Sequence, residues 1–249
     1  RKCHVMLKRT EGIVLKTIPF GEADLIVTYL TYDFGLRKAF AKSPRKIKSR
    51  FGSSLEPLTY SKISFWGKED ANLPRLTQSD IILPFKSIRE RLDCFLKASE
   101  IIELTVNMLP EHEANKKIFT LLLDILKTME KNCGALHTVI LYKVKFLDLA
   151  GYAPRLDGCA RCGKSGFSFY VSHGAILCEN CATSMDSHVK LSQGSIKLYE
   201  SLRKWDNSLA GRIKPSGNLF AELSGMIDDH IRYTLSKPLK SEAFYNLTK

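Results

Sequence analysis

Four of the seven cysteines fall into two close pairs, Cys159–Ala160–Arg161–Cys162 and Cys178–Glu179–Asn180–Cys181, with fifteen residues between them. A zinc ion prefers four thiolates at the corners of a tetrahedron, and each Cys-x2-Cys turn presents two sulfurs to one ion. Gly163, just after the first pair, suits a knuckle whose backbone amides point at sulfur. The intervening Phe167–Val171 and Ala175–Leu177 read as a short hairpin that carries the second pair back to the first. Four filled positions leave no place for a reactive water, so the expected cofactor is one structural Zn2+ on Cys159, Cys162, Cys178 and Cys181. His173 and His188 are close in sequence but are not needed as ligands.

Seven cysteines would make an awkward disulfide framework, so the count fits a reducing cytoplasm and a metal site. Cys94 and Cys133 read as isolated, small apolar packing residues. No apolar run is long enough for a membrane span, and no apolar core of a signal peptide follows the basic residues at the start.

The rest of the chain changes period twice. Short runs rich in Val, Ile, Thr, Tyr and Phe predict strands at Glu11–Ile18, Leu25–Tyr32, Leu36–Lys42, Leu58–Phe65 and Arg75–Ile82. Turns are expected at Phe20–Glu22, Asp33–Gly35, Ser43–Pro44 and Gly67–Asp70. Five short strands in so few residues suggest a small barrel, and the OB barrel is the usual nucleic-acid version. After Pro84 the apolar spacing becomes helical: Ile88 to Leu109, Ile118 to Met129 and Leu136 to Ala150, three helices expected to form a bundle. Two further helices are expected near Gln193–Trp205 and Asn218–Leu235, joined through Gly211–Gly217. The fold class is therefore α+β: an N-terminal five-stranded OB-type β-barrel, then an α-helical domain with an embedded four-cysteine zinc module. The expected divisions are 1–83 for the barrel, 84–154 for the bundle, 155–190 for the zinc module and 191–249 for the C-terminal helices.

Charge points to the partner. The net charge is +12 with a pI near 9.3, and residues 1–83 hold 15 basic against 8 acidic side chains. Within Gly35–Arg50 lie Arg37, Lys38, Lys42, Arg45, Lys46, Lys48 and Arg50, uninterrupted by an acid. Such side chains on extended backbone can follow a sugar-phosphate chain. Tyr32, Phe34, Phe40, Phe51, Tyr60 and Trp66 are interleaved, most of them expected in the core. Strand alternation places Phe40 outward with Lys38 and Lys42, as a stacking platform.

The chain has no phosphate-binding G-x-x-x-x-G-K-[ST] loop, no G-x-G-x-x-G and no H-E-x-x-H. Asp228–Asp229 read as solvent-facing on their helix. No catalytic residue is expected. A zinc-stabilised protein-interaction scaffold and an RNA-binding OB protein are the alternatives to a DNA-binding protein.

The order of parts resembles the RecO family of bacterial DNA repair and recombination mediators, across essentially the whole chain. The pieces that carry the resemblance are Thr10–Lys16, Gly21–Asp24, Thr31 to Gly35, and above all Lys48–Ser49–Arg50–Phe51–Gly52 with Leu55–Glu56–Pro57. Lys145–Phe146–Leu147 and Gly151–Tyr152–Ala153–Pro154 then lead into Cys159 and Cys162. Ser43–Pro44–Arg45–Lys46 departs from the family, which more often has a small-residue turn there. The resemblance implies binding to single- and double-stranded DNA, annealing of complementary strands, and partnership with RecR. It also implies recognition of the acidic C-terminal tail of single-strand-binding protein, loading of RecA, and a cytoplasmic, nucleoid-associated location. Lys116, Lys117 and Lys143 are available for the acidic tail.

Overall fold

Alternation of apolar and polar residues forms the N-terminal strands, and their length is set by where glycine and proline interrupt them. A computed structural model describes residues 5–45, 49–68, 71–133, 137–183, 187–204, 206 and 216–241. The first five strands are β1 (Val5–Phe20), β2 (Asp24–Thr31), β3 (Gly35–Ala41), β4 (Tyr60–Lys68) and β5 (Arg75–Leu83). They close a barrel in the order β1-β2-β3-β5-β4. β1 is long enough to serve both neighbours: Val5–Ile13 pair with β4 and Gly12–Phe20 with β2, with an irregularity between Val14 and Lys16. Alternate residues Val27, Tyr29, Ala39, Ala41, Ile63, Phe65 and Leu76 fill the interior with Val14, Phe51 and Leu55. Closure between β3 and β5 is made by one parallel pair, Phe40 with Arg75.

The chain divides into two compact units. The first comprises residues 1–95 and 108–133, and the second comprises residues 96–107 and 134–249. Helical spacing after Pro84 resolves into α1 (Lys86–Glu90), α2 (Leu92–Met108), α3 (Lys116–Lys131) and α4 (His137–Ala150). The single helix expected from Ile88 to Leu109 is broken at Arg91, whose backbone is extended. α3, expected within a bundle of residues 84–154, belongs to the barrel's unit. Its Phe119 meets the ring edges of Tyr32 and Tyr60, at 5.5 and 6.2 Å. Its start is capped by Asn115, whose side chain accepts the Ile118 N–H. Gly35 is fixed by the same packing: it has φ +65, and a Cβ there would lie 2.0 Å from the Glu113 carbonyl oxygen. Cys94 and Cys133 lie in this unit, and both are buried as expected. They are joined as a disulfide with Cα atoms 5.6 Å apart. A separation of 39 residues hides that pairing from the sequence.

In the second unit, α4, α5 (Gln193–Lys204) and α6 (Gly217–Leu235) supply the helical packing. Three short strands, β6 (Ser168–Tyr170), β7 (Ala175–Leu177) and β8 (His188–Lys190), form a sheet in the order β7-β6-β8. The third strand was not expected. A buried charge cluster lies among the helices: Lys143, 3% exposed, pairs with Glu100 and, at 2.6 Å, with Asp228. Asp228 therefore does not simply face solvent, because a buried ammonium requires a carboxylate partner. Asp229 does face outward and holds Arg232 at 2.8 Å. Desolvation opposes the charge on Lys143, but Asp228 and Glu100 outweigh it and raise its pKa. No described helix is long and apolar enough to cross a membrane.

Candidate nucleic-acid interface and four-cysteine centre

β3 presents alternate residues to opposite sides. Arg37, Ala39 and Ala41 are buried, whereas Lys38 and Lys42 are exposed and Phe40 is half-buried. Arg37 is only 6% exposed, which separates it from the other described basic residues of the stretch. Lys38 pairs with Glu111 at 2.5 Å. Arg45 is exposed, its backbone N–H donating to the Ala23 carbonyl at 3.3 Å. Arg50 is exposed with its guanidinium 4.9 Å from the Phe51 ring centre. Lys46 and Lys48 lie outside the described residues, as do the Glu69–Asp70 end of the β4–β5 turn, Trp205 and most of Gly211–Gly217.

Most of the interleaved aromatics are occupied. Tyr32 carries Lys116 at 4.6 Å on its ring, Phe34 packs edge-on to Phe65, and Phe51 and Tyr60 are buried. Burial and the adjacent Glu11 carboxylate push the Tyr60 hydroxyl pKa well above its ordinary value. Phe40 meets the edge of Phe20 at 5.9 Å. Phe20 itself, read from the sequence only as a turn residue, is 52% exposed.

The second unit gathers the four cysteine sulfurs within 4.8 Å of one another. The Cys162 and Cys178 sulfurs are 3.6 Å apart, close to the roughly 3.8 Å edge of a tetrahedron built on 2.3 Å metal–sulfur bonds. Two tight turns make the arrangement. The Gly163 N–H donates to the Cys159 carbonyl at 2.8 Å, with Gly163 at φ +75, and the Cys181 N–H donates to the Cys178 carbonyl at 2.9 Å. The hairpin β6–β7 joins the turns, and Cys159, Tyr170 and Leu177 form a small core. The rings of His173 and His188 lie against Tyr170, 6.4 and 5.1 Å away, and neither joins the sulfur cluster.

Electrostatics shows what the cluster needs. The Cys159 thiol is drawn down to about 6, first by the backbone N–H of Cys178 and further by those of Cys162 and Arg161, against desolvation. The Cys181 thiol is pushed up to about 12, chiefly because it donates to Cys178 and Cys162. Backbone dipoles thus favour thiolate, while crowding of the sulfurs opposes a full set of negative charges. A dication at the centre relieves that opposition. The residues present therefore fit a metal.

Lys143 is unavailable for an external anion because Glu100 and Asp228 already hold it. Lys116 lies 3.7 Å from Asp33 in the barrel's unit, and Lys117 is exposed.

An OB-like barrel followed by helices and a four-thiol centre defines the class: a two-part protein with an OB-like barrel in one unit and a cysteine cluster able to hold a metal in the other. The chain belongs to the RecO family of DNA repair proteins. Residues 6–85 match the family description "Recombination protein O N terminal" and residues 89–243 match "Recombination protein O C terminal". It is 46% identical over 228 residues to the DNA repair protein RecO of Thermodesulfovibrio yellowstonii, covering 89% of this chain and 91% of that protein. It is 32% identical over 240 residues to the DNA repair protein RecO of Syntrophus aciditrophicus (94% and 93%). It is also 33% identical over 246 residues to that of Desulfatibacillum aliphaticivorans (94% and 95%). Family membership supports a role in DNA repair and recombination.

Proposed function

We propose that this chain is a non-catalytic recombination mediator that binds single- and double-stranded DNA and anneals complementary strands. One observation carries the reading: on a barrel of OB order, Lys38 on the outer side of β3 and Lys42, Arg45 and Arg50 after it are exposed, within a sequence stretch that holds no acid. The contact set is Lys38, Phe40, Lys42, Arg45 and Arg50, with Lys46 and Lys48 from the same run; Arg37 is buried on the other side of β3. Phosphate contacts would hold one strand without reading its sequence and lower its repulsion toward a second. Annealing by that route needs neither a nucleotide triphosphate nor a reacting side chain.

Cys159, Cys162, Cys178 and Cys181 would hold one Zn2+. It would act there as a cross-link that fixes two turns to a three-stranded sheet. RecR, RecA and the acidic tail of single-strand-binding protein are the partners that family membership suggests. A cleft of about 930 Å3 in the second unit offers the tail Lys237 beside the half-exposed Tyr233 ring, with Arg232 there paired to Asp229. The divisions 1–83, 84–154, 155–190 and 191–249 remain our working parsing of these roles.

The test is fluorescence anisotropy with a labelled single-stranded oligonucleotide over a salt series, comparing the wild type with charge reversals at Arg45, Lys46, Lys48 and Arg50. Tight binding with a steep salt slope is expected, and each lost phosphate contact should flatten that slope by about one. Absent or salt-independent binding would leave the interaction scaffold as the better reading. Preference for RNA of equal sequence would favour the RNA-binding one.

A further inference from the structure

The first unit is built from two chain segments, and two different ties join them at the end of α3. The Glu130 carboxylate, in the last turn of α3, accepts the Ser87 and Ile88 N–H groups at 3.2 and 3.1 Å. Those amides belong to the first turn of α1, so α3 supplies its cap. Just beyond Glu130, Cys133 is bonded to Cys94 near the start of α2. The Arg89 guanidinium of α1 pairs in turn with Glu56. The Glu56 N–H donates to the Ser53 carbonyl at 3.1 Å, closing the 3-10 turn Gly52–Leu55, and Arg50 stands just before that turn. A line of contacts inside one unit thus runs from the disulfide to the segment that carries Arg50.

The disulfide contrasts with the chain's other sulfurs. Cys159, Cys162, Cys178 and Cys181 are free, and the Cys162 and Cys178 sulfurs stand 3.6 Å apart unbonded. Conditions reducing enough to leave four thiols for a metal also open ordinary disulfides. Those that form under such conditions are as a rule transient or redox-sensing. Burial slows attack here, since Cys94 is 0% and Cys133 3% exposed. The reduced form has a partner of its own. Asp93 Oδ2 lies 3.8 Å from the Cys133 sulfur, placed to accept its S–H once the bond is open. An interaction made only by the thiol favours reduction.

We infer that Cys94–Cys133 is a reversible redox staple that sets the order of α1 and, through Arg89 and Glu56, of the segment carrying Arg50. Opening proceeds by exchange with a low-molecular-weight thiol. One thiolate attacks a sulfur of the pair and expels the other cysteine, leaving a mixed disulfide. A second thiolate attacks the small sulfur of that intermediate and frees the first cysteine. The protein gains two electrons and two protons, and the two small thiols leave as their disulfide. The open form keeps the Glu130 cap but loses the covalent closure across 39 residues of sequence. Arg50 is then less preorganised for a phosphate. The inference rests on the DNA-binding reading above and adds its regulation.

The test equilibrates the full chain in glutathione buffers, then blocks thiols by alkylation and maps the peptides by mass spectrometry. Cys94 and Cys133 should pass together from disulfide to thiol as reduced glutathione rises to ~100-fold excess over its disulfide. Amides of α1 and of the last turn of α3 should exchange about 30- to 1000-fold faster in the reduced form. Single-strand affinity, read by anisotropy, should fall about 2- to 30-fold on reduction. Glu56→Gln, which leaves both cysteines in place, should remove that redox dependence. Free thiols in every buffer, or a disulfide that survives the whole range, would overturn the staple. Equal affinity in the two forms of a chain that does bind DNA would overturn the regulation. Absence of DNA binding in both forms would remove the DNA-binding reading, while the thiol map and amide exchange still decide the staple. Those two readouts use the native sequence, so no cysteine variant has to fold.

Discussion

The barrel and the cysteine sheet are both made of short strands, yet they are held together in opposite ways. Five strands of seven to sixteen residues close on themselves, and ten buried side chains fill the space they enclose. The cysteine sheet has three strands of three residues each; the cluster on its cysteine side is Cys159, Tyr170 and Leu177, and Phe169 and Ile176 are buried besides. A sheet of that size cannot bury enough apolar surface to stand alone. The difference sets apolar burial in the barrel against four clustered sulfurs beside the small sheet.

The largest expected effect breaks the comparison at the sulfurs. Structural zinc sites contribute on the order of 10 kcal/mol of folding free energy. Chelation, or Cys178→Ser, should therefore abolish hydrogen-exchange protection across β6, β7 and β8 while leaving the amides of β1 to β5 protected. Metal analysis of protein purified without added zinc should find about one zinc per chain. A sheet that keeps its protection when metal-free would remove the distinction.

A smaller effect sharpens it through buried charge. The described ion pairs of the barrel's unit include surface pairs such as Lys38–Glu111, whereas Lys143 in the second unit is enclosed with two carboxylates. Lys143→Ala leaves those carboxylates uncompensated and should cost about 3–5 kcal/mol in urea unfolding. Adding Glu100→Gln and Asp228→Asn should restore part of the loss. A loss below ~1 kcal/mol would mean that water reaches the cluster.

The smallest effect is acid sensitivity of the second unit. Desolvation lowers the pKa of both His137 and His230, against a raising contribution at His230 from the Tyr152 carbonyl, which lies 2.8 Å from its Nε2. The unfolded chain then takes up protons near pH 6.5 that the folded state refuses, so stability falls as pH drops through that value. The thermal midpoint should fall between pH 7.5 and 5.5 by less in His230→Gln than in the wild type. An equal fall in both would assign the acid sensitivity elsewhere.

Much of this was legible in the sequence because it depends on local pattern. The strand centres, the hairpin and the gathering of the four cysteine sulfurs follow from alternation and from Cys-x2-Cys spacing. What was not legible depends on pairing across distance. β1 extends back to Val5 because β4 is there to receive it, and Leu58, read as part of β4, instead has φ +71 and bonds to Val14. α3 carries the same helical period as its neighbours, and only contacts across distance, such as those of Phe119 with Tyr32 and Tyr60 and of Lys116 with Asp33, place it in the barrel's unit. Arg37 and Lys38 are adjacent letters of one basic run, and only the pleat separates the buried residue from the exposed one. The Cys94–Cys133 pair and the Lys143 cluster join residues far apart in the chain.

The discontinuity of the two units sets an order of events during synthesis. The first unit needs residues 108–133, so a nascent chain cannot complete it until more than half of the 249 residues have left the ribosome. By then residues 96–107 have already emerged, and they must wait for residues 134–249 before their own unit can form. A gene fragment cut at the end of β5 would release a barrel that lacks α3, with Tyr32 and Tyr60 deprived of Phe119. Dissecting this chain cleanly therefore calls for rejoining segments in a new order rather than for truncation.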